Sequence, residues 1–404
     1  MSRFRDARER SLRSLRVHNF RTYFLGQALS VVGTGMQLLA QAWLVLELTD
    51  SASQLGLVIT LQSLPLLLLG SWAGNLADRV DNRRILVCTS LASGAGAATL
   101  GVLLSTGRAD LHWIQIVAFV MGVVSAIERP AAQAILYELV GPADLPSAIG
   151  LNTTLNAASR LIGPAVAGVL IATVGIEACF YGNAVSFLAV VVAIGRLRAA
   201  ELLERRATTG AVRIRDGISY AWNHPVLRRA LVAMTAVGAL SYNFQQVVPS
   251  TIRFVFDGGP GALGLVQAIS AVGSILGGVI VASIVHPRCR QVGLMAVLFG
   301  SVILISAFSP NLVVFAVLWL PAGLGSGLYA SGTQSLLQRT AAPEYQGRIA
   351  ALFGMAWIGT TPIGALVMGR VIDTWSARVA LVISGTTALL AAIYLFADRT
   401  PSPA

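Results

Sequence analysis

Apolar residues run along this chain in blocks of about twenty or more, interrupted by short stretches of glycine, proline and charge. Each block has the length a helix needs to cross the roughly 30 Å hydrocarbon layer of a bilayer. The blocks are continuous and lack the alternation of a barrel strand, so they predict helices. The predicted spans are 20–46, 53–74, 85–107, 112–137, 147–172 and 175–195 in the first half. In the second half they are 230–252, 262–285, 292–308, 312–337, 349–370 and 376–396. Twelve crossings return both termini to one side. The fold class that follows is an all-α membrane protein.

Composition agrees, with 55% hydrophobic and 12% charged residues. The net charge of +11 would suit nucleic acid, but its distribution assigns it to topology. All 29 basic residues are arginines, and they gather in alternate connections. Arg3, Arg5, Arg8, Arg10, Arg13 and Arg16 precede the first span, and the central loop holds another group. With the termini inside, only Arg108, Arg253, Arg370 and Arg378 lie outside, and Arg129 and Arg160 fall within spans, as the positive-inside rule requires. The first apolar block is too long for a cleaved signal and is expected to stay as helix one. Cys88, Cys179 and Cys289 stand far apart, which implies neither a disulfide framework nor a metal cluster.

These breaks divide the chain into a basic terminus 1–19, a six-helix bundle 20–195, a central loop 196–229, a second six-helix bundle 230–396 and a tail 397–404. Within the loop, Ile214 to Leu227 mixes apolar residues with arginines. It reads either as a helix lying on the membrane surface or as a solvated linker. The halves also repeat. Gln133 to Leu136 ahead of Pro142 matches Gln334 to Leu337 ahead of Pro343, and Gly70 and Gly74 match Gly273 and Gly277 at a nearly equal offset. Paired helical units of this kind are a transporter architecture, here two pseudo-symmetric bundles.

Candidate chemistry is sparse and polar. Glu128, Arg129 and Arg160 lie inside spans, where a lone charge costs about 3 kcal/mol or more, so each must face protein or water. Glu128 and Arg129, about 100° apart on the helix, each want a partner elsewhere, and Arg160 is one candidate for Glu128; such a pair would make Glu128 structural, and the competing role for it is a proton relay. Gln27, Ser30, Thr34, Gln37 and Gln41 recur at spacings of three and four, which puts them on one helix face. With Asn152 and Asn156, with Tyr242, Asn243, Gln245 and Gln246, and with Trp357, Thr360 and Thr361, they are candidates to line a cavity for an amphipathic solute. Interhelical hydrogen bonding is the other use of such residues.

The turn from Gly74 through Asp78, Arg79 and Asp81 to Arg83 and Arg84 resembles the signature loop of the major facilitator superfamily, with Asp81 where that loop carries its second glycine. Gly74 would permit close packing, and the charges would anchor to phosphates and neighbouring helices. The resemblance implies that Asp78 latches the outward-facing state. Gly163, Pro164 and Gly168 on helix five are similar to the Gly-Pro signature of that superfamily's exporting antiporters; a plain kink is the competing explanation. Gly359, Pro362, Gly364 and Gly369 echo them on helix eleven.

Across its whole length the chain resembles the bacterial branch called transmembrane secretion effectors, related to enterobactin exporters. The stretches Asn19 to Gln27, His224 to Arg228 and Pro343 to Arg348 carry that likeness. It implies export of siderophores, drugs or metabolites in exchange for protons, without a cofactor, by a monomer in the bacterial inner membrane in contact with lipid. Uptake by proton symport is the alternative. An enzyme is disfavoured, since no activated nucleophile, His cluster or phosphate-binding Gly-Lys motif is present.

Overall fold

The computed structural model describes residues 13–203, 214–284 and 287–397. The arginines before position 13, the 204–213 part of the central loop and the last residues of the tail lie outside the described residues. Every long element described is helical. The helices are α1 (His18–Thr49), α2 (Ala52–Arg79), α3 (Asn82–Ser105) and a run Leu111–Thr173, whose limbs 111–140 and 142–173 are α4 and α5. Then follow α6 (Glu177–Gly195), α7 (Ile214–Asn223), α8 (Pro225–Leu240), α9 (Phe244–Phe256) and α10 (Pro260–Ala282). The chain continues with α11 (Cys289–Ser306), α12 (Leu312–Thr340), α13 (Gln346–Trp357), α14 (Thr361–Thr374) and α15 (Ala377–Phe396).

Ten helical runs among the described residues are long and apolar enough to cross a membrane. The Leu111–Thr173 run of 63 residues supplies two crossings. α8 and α9 are each too short alone and form one crossing together, so the crossings number twelve. This is the major facilitator fold.

Three helices depart from the expected outline. The predicted loop 138–146 is reduced to one residue, Gly141, at φ 70° and ψ 178°. Glycine takes that left-handed φ without strain, and Pro142, directly after it, suits the first position of the next helix. Helix seven starts at Pro225, and its span is broken across 241–243. A reciprocal hydroxyl pair ties this break to α15: Ser241 donates to Ser384 O (2.7 Å), and Ser384 donates to Leu240 O (2.8 Å). Helix eleven breaks likewise across 358–360, where Thr360 donates to Ala356 O (3.0 Å).

Contacts divide the chain into two units. The first holds residues up to Leu44 and Leu61–Thr209; the second holds Val45–Thr60 and everything from Gly210. In the first, Phe20, Leu86, Ala131, Ile135 and Ile194 form a core, and Gly35 and Gly163 bring α1 and α5 into backbone contact. In the second, Gly238 of α8 and Gly364 of α14 play the same part, with Gly364 against Ala239 O. Gly122 of α4 lies on Gln62 of α2, just as Gly273, Gly277, Gly323 and Gly327 seam α10 to α12. Equivalent helices therefore cross through equivalent glycines, which is the repeat in physical form. One match fails: Gly70 and Gly74 share the register of Gly273 and Gly277, yet nothing lies within 4 Å of a Cβ at either. Gly74 thus opens a face of α2 instead of sealing a crossing.

The central-loop helix forms as α7. Its Tyr220 ring stacks on Tyr345 (centroids 4.0 Å apart) and its hydroxyl accepts from Ala342 N, while Ile218 and Trp222 stay exposed.

Candidate functional site

The signature turn is built around the residue that departs from the pattern. Asp81 caps α3, accepting from Arg83 N at 2.9 Å, and its carboxylate pairs with the Arg83 guanidinium at 3.1 Å. Burial alone would raise the Asp81 carboxyl, but the hydrogen bonds and charge of Arg83, with Arg84, hold it below the ordinary carboxylate value. Next to it, buried Asn82 donates to Glu138 at 2.6 Å, which ties the turn to the end of α4. Asp78, Arg79 and Arg84 are exposed, and Arg83 is half-buried.

A folded-state value below the unfolded one contributes stability above the unfolded pKa of about 3.9 and loses it as pH falls through the folded pKa. Asp81→Ala, which loses cap and charge, is expected to lower stability by about 1 kcal/mol. Asp81→Asn keeps a cap and should cost a few tenths, since the pair is solvent-screened. In thermal melts, the advantage of the parent over Asp81→Asn should be present at pH 6 and shrink progressively as pH falls below about 4.

Glu128, Arg129 and Arg160 fall in the middle thirds of α4 and α5. The candidate Glu128 to Arg160 pair does not form: among the described residues no ion pair joins them. Arg129 instead lies within electrostatic range of both, which makes it the neighbour that answers Glu128. Arg129 and Arg160 are exposed at the protein surface, and Glu128 is half-buried. On α1, Gln27 donates to the buried Tyr23 hydroxyl at 2.9 Å, and Tyr23 is within range of Glu128, so these groups form one polar cluster. Tyr23 escaped sequence reasoning, although its place four residues before Gln27 puts it on the polar face.

The amide candidates sort by partner. Gln37 accepts from Asn183 Nδ2 of α6 at 2.6 Å, an interhelical bond, and Gln41 is buried beside it on the same face. Thr34 is half-buried. Asn156 is exposed and donates to Asn152 O at 2.8 Å, one turn before Arg160. Gly163, Pro164 and Gly168 are buried, and the α1 crossing leaves no room for a side chain at Gly163.

In the second unit, Tyr242 donates to Ser326 O (2.8 Å) and lies between Phe299 and Trp357, while Asn243 donates to Ala239 O. Gln246 is fully buried and donates to Ala52 O at 2.7 Å, so it holds the start of α2 and is not free to meet a solute. Buried Pro362 accepts from Thr60, and Gly364 admits Ala239. An apolar cleft of about 260 Å³ runs between α7, α8 and α13, lined by Trp222, Leu231, Met355 and Thr360 with Arg228.

One polar site was missed. The Asp373 carboxylate receives Ala52 N (2.7 Å), Ser53 N (2.9 Å) and Ser51 Oγ (2.6 Å), thereby capping α2. Beside it Arg253 pairs with Asp50 at 2.6 Å.

Twelve crossings, two repeated units and charges in mid-span define a membrane transporter of the major facilitator class. A family profile described as transmembrane secretion effector matches residues 10–403, and the chain belongs to that family. It is 25% identical over 388 residues to the staphyloferrin A transporter of Staphylococcus aureus, covering 93% of this chain and 96% of that one. It is 25% identical to macrolide efflux protein A of Streptococcus pyogenes, covering 93% and 94%. It is 27% identical to the multidrug efflux pump Tap of Mycolicibacterium fortuitum, covering 84% and 86%. Two solved structures share the fold. The nucleoside transporter NupG gives a TM-score of 0.74 at 11% identity, covering 94% of this chain and 98% of that one. A bacterial homologue of the lysosomal transporter Spinster gives 0.72 at 14%, covering 94% and 96%. The chain is a transporter of small molecules and not an enzyme.

Proposed function

We propose that this protein exports an amphipathic small molecule (a siderophore, a drug or a secondary metabolite) across the bacterial inner membrane by alternating access, in exchange for protons. The observation that carries the reading is that Arg129 and Arg160 are exposed at the protein surface in the middle of their spans, with Arg129 beside Glu128. Charges at that depth cannot reach the interface by snorkelling, so they belong to a water-filled path. Export is favoured by relatives that bear the names of efflux proteins, and by the buried Gly163-Pro164 pair. Glu128 is the proton carrier in this reading, and Arg129 is the charge that tunes it.

The arginine distribution gives the orientation, with both termini cytoplasmic. The bundles 20–195 and 230–396 exchange access, and the protein works as a monomer among membrane lipids. Gln27, Thr34, Asn156 and Trp357 keep enough exposure to meet a substrate, and the open face of α2 at Gly74 and Asp78 serves as the inner latch.

Accumulation of a fluorescent amphipathic dye in expressing cells tests this. Expression should lower accumulation, and a protonophore, Asp78→Asn or Glu128→Gln should each restore it. Raised accumulation would instead indicate uptake, and parental export by Asp78→Asn would remove the latch.

A further inference from the structure

The charges in the middle of the first unit do not balance. Glu128 and Arg129 are chain neighbours on α4 and lie within electrostatic range of each other. Arg160 on α5 has no such answer. Among the described residues no carboxylate pairs with it, and the charge within its range is the like charge of Arg129. It is nevertheless exposed at the protein surface, 13 residues from the end of its limb at Thr173, a rise of roughly 20 Å. A guanidinium at that depth with neither acid nor interface to satisfy it is a functional site by default.

Its surroundings indicate what satisfies it. Asn152, Asn156 and Arg160 are spaced by four, so they stack on one face of α5. Asn156 is exposed, and its Nδ2 spends one hydrogen on Asn152 O, leaving its second N–H available. The neighbouring face is fixed: Gly163, three residues on, is pressed against Gly35 of α1 with no room for a Cβ, and Ser159 is buried. The crossing therefore holds the Arg160 face in one orientation. A planar fork of donors beside a carboxamide donor complements a carboxylate, which accepts two parallel N–H bonds.

We propose that Arg160, with Asn156, is an anion subsite that takes a carboxylate group of the transported molecule. This deepens the transport reading and rests on it, making the substrate an amphiphile with at least one carboxylate instead of a neutral or cationic one. Arg129 remains with Glu128, so anion recognition at Arg160 and proton carriage at Glu128 use separate groups.

The test compares two probes that differ by one charge, dansyl-phenylalanine and its methyl ester. Their binding to the purified full chain in lipid nanodiscs is followed by dansyl fluorescence. The parent should bind the carboxylate at least tenfold more tightly than the ester. Arg160→Gln should erase that difference while leaving ester affinity within about twofold. Arg160→Lys, which keeps the charge and loses the fork, should restore part of it, and it supplies the readout if Arg160→Gln does not fold. Equal affinity for the two probes in the parent, binding of neither, or an unchanged preference in a folded Arg160 variant would overturn the subsite. Protonophore-sensitive dye export in cells is scored separately, so the transport reading can stand when the anion subsite falls, and the reverse.

Discussion

Replacing Gly323 by leucine should abolish the folded protein, whereas Gly70→Leu should leave it extractable and monodisperse. A Cβ at Gly323 would meet the carbonyl oxygen of Ser270, and one at Gly327 that of Ser274. From the facing helix, Gly273 meets Leu320 O and Gly277 meets Leu324 O in the same way. All four obstacles are backbone atoms, which cannot rotate aside as a side chain would. Both helices would have to separate along their length. Lipid gives helices little hydrophobic reason to associate, so close approach through small residues is what holds α10 to α12. Overpacking in a core typically costs about 1–3 kcal/mol, and a residue of leucine's size wedged into a backbone seam belongs at or beyond the upper end of that range. At Gly70 the space is open, and leucine meets nothing. The yield and melting temperature of detergent-extracted protein check the contrast. Parental behaviour of Gly323→Leu would mean that the seam does not carry the second unit.

Glycine thus has two uses that sequence alone does not separate. The register matching Gly70 and Gly74 with Gly273 and Gly277 is legible, but which pair lies in a crossing depends on the neighbouring helix. The same holds for the polar residues. Helix number and position follow from apolar run length, because membrane length and backbone hydrogen bonding leave few alternatives. The breaks at 241–243 and 358–360 do not, since both stretches fall inside long, largely apolar runs and the hydroxyl that meets Leu240 O, that of Ser384, lies far along the chain. Gln37 and Gln246 looked available for a solute, but each is committed to another segment, to Asn183 and Ala52. The cap at the signature turn was not read from the sequence either, although it is local. Asp81 replaces the glycine of the signature loop and becomes the N-cap of α3, a local effect that a sequence can express.

Asp373 illustrates the opposite case, because its partners stand about 320 residues away, and it carries the second large expected effect. Asp373→Ala should loosen the α1–α2 turn from the rest of the second unit by about 1–2 kcal/mol, while Arg253→Ala should do so by less than 1 kcal/mol. The carboxylate takes two backbone N–H groups and one hydroxyl, all within 2.9 Å, at the positive end of α2. Asp373 is exposed, so solvent screening keeps these bonds near the range of a helix cap, about 0.5–2 kcal/mol in all. Asp50, the partner of Arg253, is 74% exposed, and such surface pairs contribute about 0–1 kcal/mol. The measurable consequence is access. With Cys88, Cys179 and Cys289 replaced by serine, Ser53→Cys should react with a membrane-impermeant maleimide at least tenfold faster when Asp373→Ala is added, and at close to the parental rate when Arg253→Ala is added. Asp373→Glu, which keeps the charge on a longer arm, should fall between them. Equal rates for Asp373→Ala and Arg253→Ala would mean that the cap does not hold the turn. The side from which the reagent works carries a second result: in the proposed orientation this turn faces outward, so labelling confined to reagent supplied inside would reverse the topology and with it the direction assigned to transport.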